Sequence, residues 1–164
     1  MKTLLILRHA KTQPDAPAGD HARELTERGH RNAAAMGAYI HNLTGTPDAI
    51  ITSDATRALQ TAEIVATAVA FATPLTVVPR IYAADLATLL AVVRRIPDEV
   101  SSAIIIGHNP GFEELAAALA GNDHEGIRLP TSGLAVLEFD VERWDTVREG
   151  GGRLREVATP RTIA

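Results

Sequence analysis

Short aliphatic runs alternate along this chain with longer stretches of helical period. Leu4-Leu5-Ile6-Leu7, Ala49-Ile50-Ile51 and Ala103-Ile104-Ile105-Ile106 are almost purely apolar over strand-like lengths, the pattern of parallel strands buried on both faces. The first predicted strand is Lys2–Leu7. A polar loop rich in Asp, Pro and Gly follows from Ala10 to about Leu25. A helix then starts near Thr26, a suitable N-cap, with Ala33, Met36, Gly37 and Ile40 as a small-residue apolar face and Gly29 as an imperfection. Strand Ala49–Thr52 leads into a helix capped by Ser53 or Asp54 and containing Leu59, Ala62, Ile64, Val65 and Val69.

The second half continues the rhythm. Leu75–Val78 reads as a short strand, Leu86–Ile96 as a helix capped by Asp85, and Ile104–Ile106 as a strand. Phe112–Ala120 is a helix ended by Gly121, Gly133–Phe139 alternates as a strand, and Leu154–Val157 is another at an edge, after the Gly150-Gly151-Gly152 turn. A βαβα order of this kind predicts an α/β fold, a three-layer α/β/α sandwich in one domain over residues 1–164.

Composition narrows the function. The chain has 164 residues, 46% of them hydrophobic, which is ordinary for a globular protein and argues against wholesale disorder. Only 4% are aromatic, so Ala, Leu, Ile and Val must build the core. The absence of cysteine excludes disulfides, thiol nucleophiles and Cys-based metal sites. A net charge of -4 without a Lys/Arg cluster argues against nucleic acid as a partner. No apolar stretch reaches the roughly 20 residues of a membrane span, and the N-terminus reads as a strand rather than a signal peptide. A cytoplasmic monomer without a membrane partner is the expectation.

The predicted strands end in chemistry. Leu7 runs into Arg8-His9, Ile106 into Gly107-His108, and Thr52-Ser53-Asp54 leads to Arg57. In open α/β sheets ligands collect beyond the carboxyl ends of the strands. Side by side, these strands would bring two histidines and two arginines around one anion, a set suited to a phosphoryl group. Imidazole can act as a nucleophile, and arginine offers a planar fork that stays charged. No metal or other cofactor is then needed. Taken singly, each residue has a plainer reading: His9 as a strand-end histidine bonded to a backbone carbonyl, Arg57 as a surface cation, His108 as a loop-orienting group. Their common location gives them weight. Thr61, one turn beyond Arg57, is placed to support its guanidinium. His21, His30, His41 and His124 show no metal-ligand spacing, although His21 and the Asp15–Asp20 loop can edge the pocket.

Leu7-Arg8-His9-Ala10-Lys11-Thr12, Ser53-Asp54-Ala55-Thr56-Arg57-Ala58-Leu59-Gln60-Thr61-Ala62 and Gly107-His108-Asn109-Pro110 resemble, in order and spacing, the motifs of the histidine phosphatase (phosphoglycerate mutase-like) superfamily. With no large insertion between Arg57 and His108, the chain is similar to the SixA-type phosphohistidine phosphatases. Arg23-Glu24-Leu25-Thr26-Glu27-Arg28-Gly29 and Pro130-Thr131-Ser132-Gly133-Leu134-Ala135-Val136-Leu137-Glu138 also look like that branch. The resemblance implies a mostly parallel sheet with an antiparallel edge strand and no cap domain. It implies His9 as the phosphorylated nucleophile, with Arg8, Arg57 and His108 binding the phosphate. Ala10 stands where the wider superfamily has glycine.

Larger members carry an acidic proton donor between the second arginine and the second histidine. Here that interval offers Glu63, Asp85, Asp98 and Glu99. Asp85 is the best placed of the four, although its reading as a helix cap is stronger. General-acid help is typically worth 10²–10⁴-fold for a poor leaving group, so a pocket lacking it favours phosphohistidine or activated esters. The leading expectation is therefore a metal-independent phosphatase acting on phosphohistidine of a signalling or phosphotransfer protein. A phosphatase for small phosphorylated metabolites is the alternative. A non-catalytic phosphate-binding module is the alternative of another class.

Overall fold

The computed structural model describes residues 1–121 and 126–164; His124 lies outside the described residues. Strands β1 (Lys2–Arg8), β2 (Ala49–Thr52), β3 (Thr76–Val77), β4 (Ser102–Gly107), β5 (Leu134–Phe139) and β6 (Gly152–Ala158) form one sheet in the order β3-β2-β4-β1-β5-β6. The first four are mutually parallel; β5 runs antiparallel to β1, and β6 antiparallel to β5. The sheet is thus mostly parallel, with antiparallel pairing confined to β5 and the edge strand β6.

Alternation along β1 shows why both faces must be covered. Leu5 and Leu7 join Ile50, Ile104 and Ile106 under helices α1 (Glu27–Thr44) and α2 (Thr56–Ala68). Leu4 and Ile6 join Ile105 under α3 (Leu86–Arg94) and α4 (Gly111–Ala120). All four β1 aliphatics are fully buried, each burial contributing roughly 1.5–3 kcal/mol. A fifth short helix, α5 (Pro160–Ile163), follows β6 and touches α1.

Three local expectations change. Gly29 is more than an imperfection: a Cβ there would lie 2.1 Å from the Lys11 carbonyl oxygen, so only glycine lets α1 approach the loop after β1. Helix α2 begins one residue later than expected, with Ala55 at the N-cap, because Ser53 turns to other partners. The predicted strand Leu75–Val78 pairs over only two residues, both exposed at the sheet edge.

Candidate active site

Register sets the site. Parallel pairing aligns Arg8 with Gly107 and Thr52 with Ile106, so His9, His108 and Ser53 emerge side by side at the strands' carboxyl ends. Backbone bonds lock this mouth: His9 N–H donates to Gly107 O (3.0 Å), Ser53 N–H to Ile106 O (3.0 Å), and Ser132 N–H to His9 O (2.9 Å). The two imidazole centres are 5.3 Å apart and their planes tilt by 50°. Burial, and then the charges of Arg57 and Arg8 close by, lower the proton affinity of both rings. The sequence-predicted quartet shares one pocket.

His9 is 5% exposed, and its Nδ1 lies 2.8 Å from the Ala10 carbonyl oxygen. A carbonyl can only accept, so Nδ1 carries the proton and Nε2 keeps its lone pair. Burial, followed by the charges of His108, Arg57 and Arg8, pushes its pKa down to about 3. The plain reading of a strand-end histidine on a carbonyl and the functional reading are therefore the same bond. The Ala10 methyl is fully buried with Leu25 and Ala33, away from open space, which accommodates the departure from glycine.

His108 Nε2 meets Ser53 Oγ at 2.8 Å, while its Nδ1 has no partner. Burial, then the neighbouring Arg57 charge, lowers its pKa to about 4. Ser53 Oγ also accepts from Ala55 N–H (3.1 Å), so one hydroxyl fixes the turn before α2 and orients a ring at the end of the neighbouring strand β4. Its placement after an apolar run suggested only the cap. Thr61 also takes a different role: its Oγ1 accepts from Ala10 N–H (3.0 Å) and donates to the Arg57 carbonyl (2.8 Å), binding backbone rather than guanidinium.

The guanidiniums are held asymmetrically. Arg8 Nη1 donates to Leu129 O (3.1 Å), where Asn109 Nδ2 also donates (2.9 Å), and Glu113 accepts from Leu129 N–H (2.7 Å). Arg57 is 5% exposed and donates to Asp20 through both terminal nitrogens. Nε of both arginines is buried without a partner, as is Ser132 Oγ. Ser132 also adopts a positive φ of 60°, a conformation non-glycine residues seldom take. Unsatisfied buried donors are costly unless something else binds them. An oxyanion does.

Tyr82, which sequence reasoning passed over, walls the pocket. Its ring stands edge-on to His108 (5.5 Å) and to His21 (4.8 Å), and its hydroxyl donates to Asp20 Oδ2 (2.5 Å). His21 Nε2 reaches Asp54 Oδ1 (3.0 Å), so the loop expected to edge the pocket is pinned across α2. No apolar periodicity marks a loop aromatic like Tyr82; its only signal was an aromatic residue in a chain that has few.

The acidic candidates separate clearly. Asp85 is exposed and caps α3, accepting from Thr88 N–H at 2.9 Å, and those bonds hold its pKa below the usual carboxylate value. It lines a hollow of about 420 Å³ beside His108. Glu63 is exposed on α2. Asp98 and Glu99 precede β4, and the Asp98 carbonyl binds Lys2 at the start of β1, so both sit at the opposite end of the sheet. Among the described residues, no three His, Asp or Glu side chains converge as metal ligands, and no helix is long and apolar enough to cross a membrane.

Comparison with known proteins agrees with this geometry. The model of the histidine phosphatase superfamily (branch 1) matches residues 4–89, just over half the chain. An uncharacterized protein of Mycobacterium tuberculosis is 33% identical, over 94% of this chain and all of its own length. The protein histidine phosphatase SixA, solved with tungstate, superposes with a TM-score of 0.86 over 99% of both chains at 24% identity. A protein of Agrobacterium tumefaciens provisionally described as phosphohistidine phosphatase SixA gives 0.80 at 30% identity, covering 97% of this chain and 98% of its own. The chain belongs to the histidine phosphatase superfamily and is a phosphatase with a SixA-like structure.

Proposed function

We propose that the chain hydrolyses phosphohistidine in a protein through a phosphorylated His9. The observation that carries this is the fixed tautomer of His9: a neutral ring, proton on Nδ1, with Nε2 available beside two guanidiniums. The Nε2 lone pair forms the new N–P bond while the substrate's P–N bond breaks. Arg8, Arg57 and His108 bind the equatorial oxygens, where charge stabilisation contributes most to phosphoryl transfer.

Proton accounting favours phosphohistidine over alkyl esters. A phosphoimidazolium protonated on its distal nitrogen leaves as neutral imidazole, and His9 becomes the phosphoimidazolium, its Nδ1–H still on the Ala10 carbonyl. Water then adds its oxygen to phosphorus; the P–N bond to His9 breaks and both water protons depart with dihydrogen phosphate. Neither step takes a proton from the protein, so a pocket whose nearest carboxyls are ionised loses little. An alkoxide would need an acid. The two guanidiniums supply the positive charge that a metal would otherwise provide, and His108, held neutral by burial, contributes a hydrogen bond rather than a charge. The phosphatase fold without an inserted cap leaves the mouth open to a protein surface.

The test is a substrate panel with chelator present: a phosphohistidine protein, phosphoimidazole, p-nitrophenyl phosphate and simple alkyl phosphates. Phosphohistidine should turn over fastest, with acid-labile phosphate trapped on His9 after quenching. Faster hydrolysis of alkyl phosphates would overturn the reading in favour of small phosphomonoesters.

A further inference from the structure

The pocket mouth holds a carboxylate that an anion site has no use for. Arg57 Nη1 donates to the Asp20 main-chain carbonyl at 2.8 Å and Nη2 to Oδ2 at 3.1 Å. The Tyr82 hydroxyl donates to the same oxygen, and Arg23 Nε lies 3.0 Å from Oδ1. The Asp20 side chain is nevertheless 56% exposed, so it faces whatever enters from solvent. It is also close enough to His108 to raise that ring's proton affinity. A negative charge here repels a dianionic phosphoryl group. That cost recurs with every substrate unless the substrate brings a compensating positive charge.

Only the leaving group can bring one. A carboxylate accepts about four hydrogen bonds; Asp20 accepts two, both at Oδ2, and Oδ1 faces only the Arg23 ion pair, so acceptor capacity remains. The Tyr82 ring, edge-on to His108 and with the Arg57 guanidinium 5.8 Å from its centre, forms the adjoining wall. An aromatic wall beside an exposed carboxylate is a surface that suits a flat cationic ring.

We propose that Asp20 determines leaving-group specificity: its carboxylate accepts the distal N–H of the substrate's phosphoimidazolium, with Tyr82 as the wall against which that ring lies. The inference rests on the phosphohistidine reading above. Asp20 then does for the departing ring what the Ala10 carbonyl does for the attacking one. The P–N electron pair returns to the departing ring, which leaves neutral, its distal proton still held by Asp20.

The experiment compares Asp20→Asn with the wild-type chain on phosphoimidazole and p-nitrophenyl phosphate, with circular dichroism melts to verify folding. The variant should lose about tenfold in kcat/KM on phosphoimidazole, the worth of one charge-assisted hydrogen bond. On p-nitrophenyl phosphate it should gain, because the departing phenolate no longer faces a carboxylate. Asp20→Glu, which keeps the charge, should restore much of the preference, and Tyr82→Ala, which removes the wall, should weaken it in the same direction. Equal changes on both substrates would overturn the proposal and reduce Asp20 to a positioning residue for Arg57. A wild-type chain inert on phosphoimidazole and on a phosphohistidine protein would sink the underlying reading as well, so the two failures are separable.

Discussion

Strand β1 buries cationic groups at both of its ends, and the two ends are built differently. At the start, Lys2 is 4% exposed; its ammonium donates to the carbonyls of Asp98 (2.6 Å) and Val100 (2.9 Å) and lies 5.9 Å from the centre of Trp144. Trp144 Nε1 also donates to the Val100 carbonyl, at 2.7 Å. At the far end, His9, His108 and Arg57 are buried to a similar degree, yet His108 Nδ1 and the Nε atoms of Arg8 and Arg57 have no partner. Burial of charge is common to both ends. What separates them is how the cationic groups are satisfied: the Lys2 ammonium has its carbonyl acceptors, whereas ring and guanidinium nitrogens at the His9 end have none. Cavity size does not separate these regions: a hollow of about 430 Å³ at the β2–β3 edge, walled by Ile51, Phe71, Val78 and Val92, carries none of this chemistry, while one of about 420 Å³ lies beside His108.

Substitutions can break the comparison, beginning at the His9 end. His9→Ala should lower turnover by about 10⁴-fold or more, because nucleophile and leaving site are lost together. The acid-labile label should vanish with it; a labelled variant would assign the nucleophile elsewhere. Arg57→Ala should cost roughly 10²–10³-fold in kcat/KM, the usual scale for removing a preorganised charge. Arg57→Lys should recover only part of that, since a point charge cannot replace a fork.

The Lys2 end predicts the reverse profile. Lys2→Met keeps the volume but strands the Asp98 carbonyl, while Trp144 still serves that of Val100, at a cost of about 1–3 kcal/mol in urea melts, and steady-state kcat/KM stays near the wild-type value. A large kinetic defect at retained stability would erase the distinction between the ends.

Acid sharpens the contrast most gently. His9 and His108 have folded pKa values lowered to about 3 and about 4, whereas an unfolded histidine titrates near 6.5. The unfolded chain therefore binds protons first, and the stability these rings contribute is present above pH 6.5 and lost as pH falls toward 4. The loss should be on the order of 1–2 kcal/mol per ring by pH 5, read from melts at pH 7 and pH 5. His108→Gln should flatten part of that slope. A pH-independent stability in the wild-type chain would mean that the rings titrate alike in the folded and unfolded states.

Much of this molecule is written locally. Leu4–Leu7 and Ala103–Ile106 announce strands covered on both faces because uninterrupted aliphatic runs leave no side for water, and the α/β/α order follows. Arg8, His9, Arg57 and His108 were legible because each follows such a run or opens a helix next to one, and strand ends are where α/β sheets bind ligands. Other features depend on approach between segments far apart in the chain. Ser53 orients His108 across 55 residues, Tyr82 reaches Asp20 across 62, and Lys2 finds its carbonyls 96 and 98 residues away. Gly29 read as a flaw until the Lys11 carbonyl was seen against it. The sequence by itself determined which residues could do chemistry, since side-chain type and hydrophobic period are local properties. Only the tertiary structure decided which donors remain unsatisfied and which charge faces the mouth, because hydrogen-bond partners and electrostatic neighbours are set by contact in space.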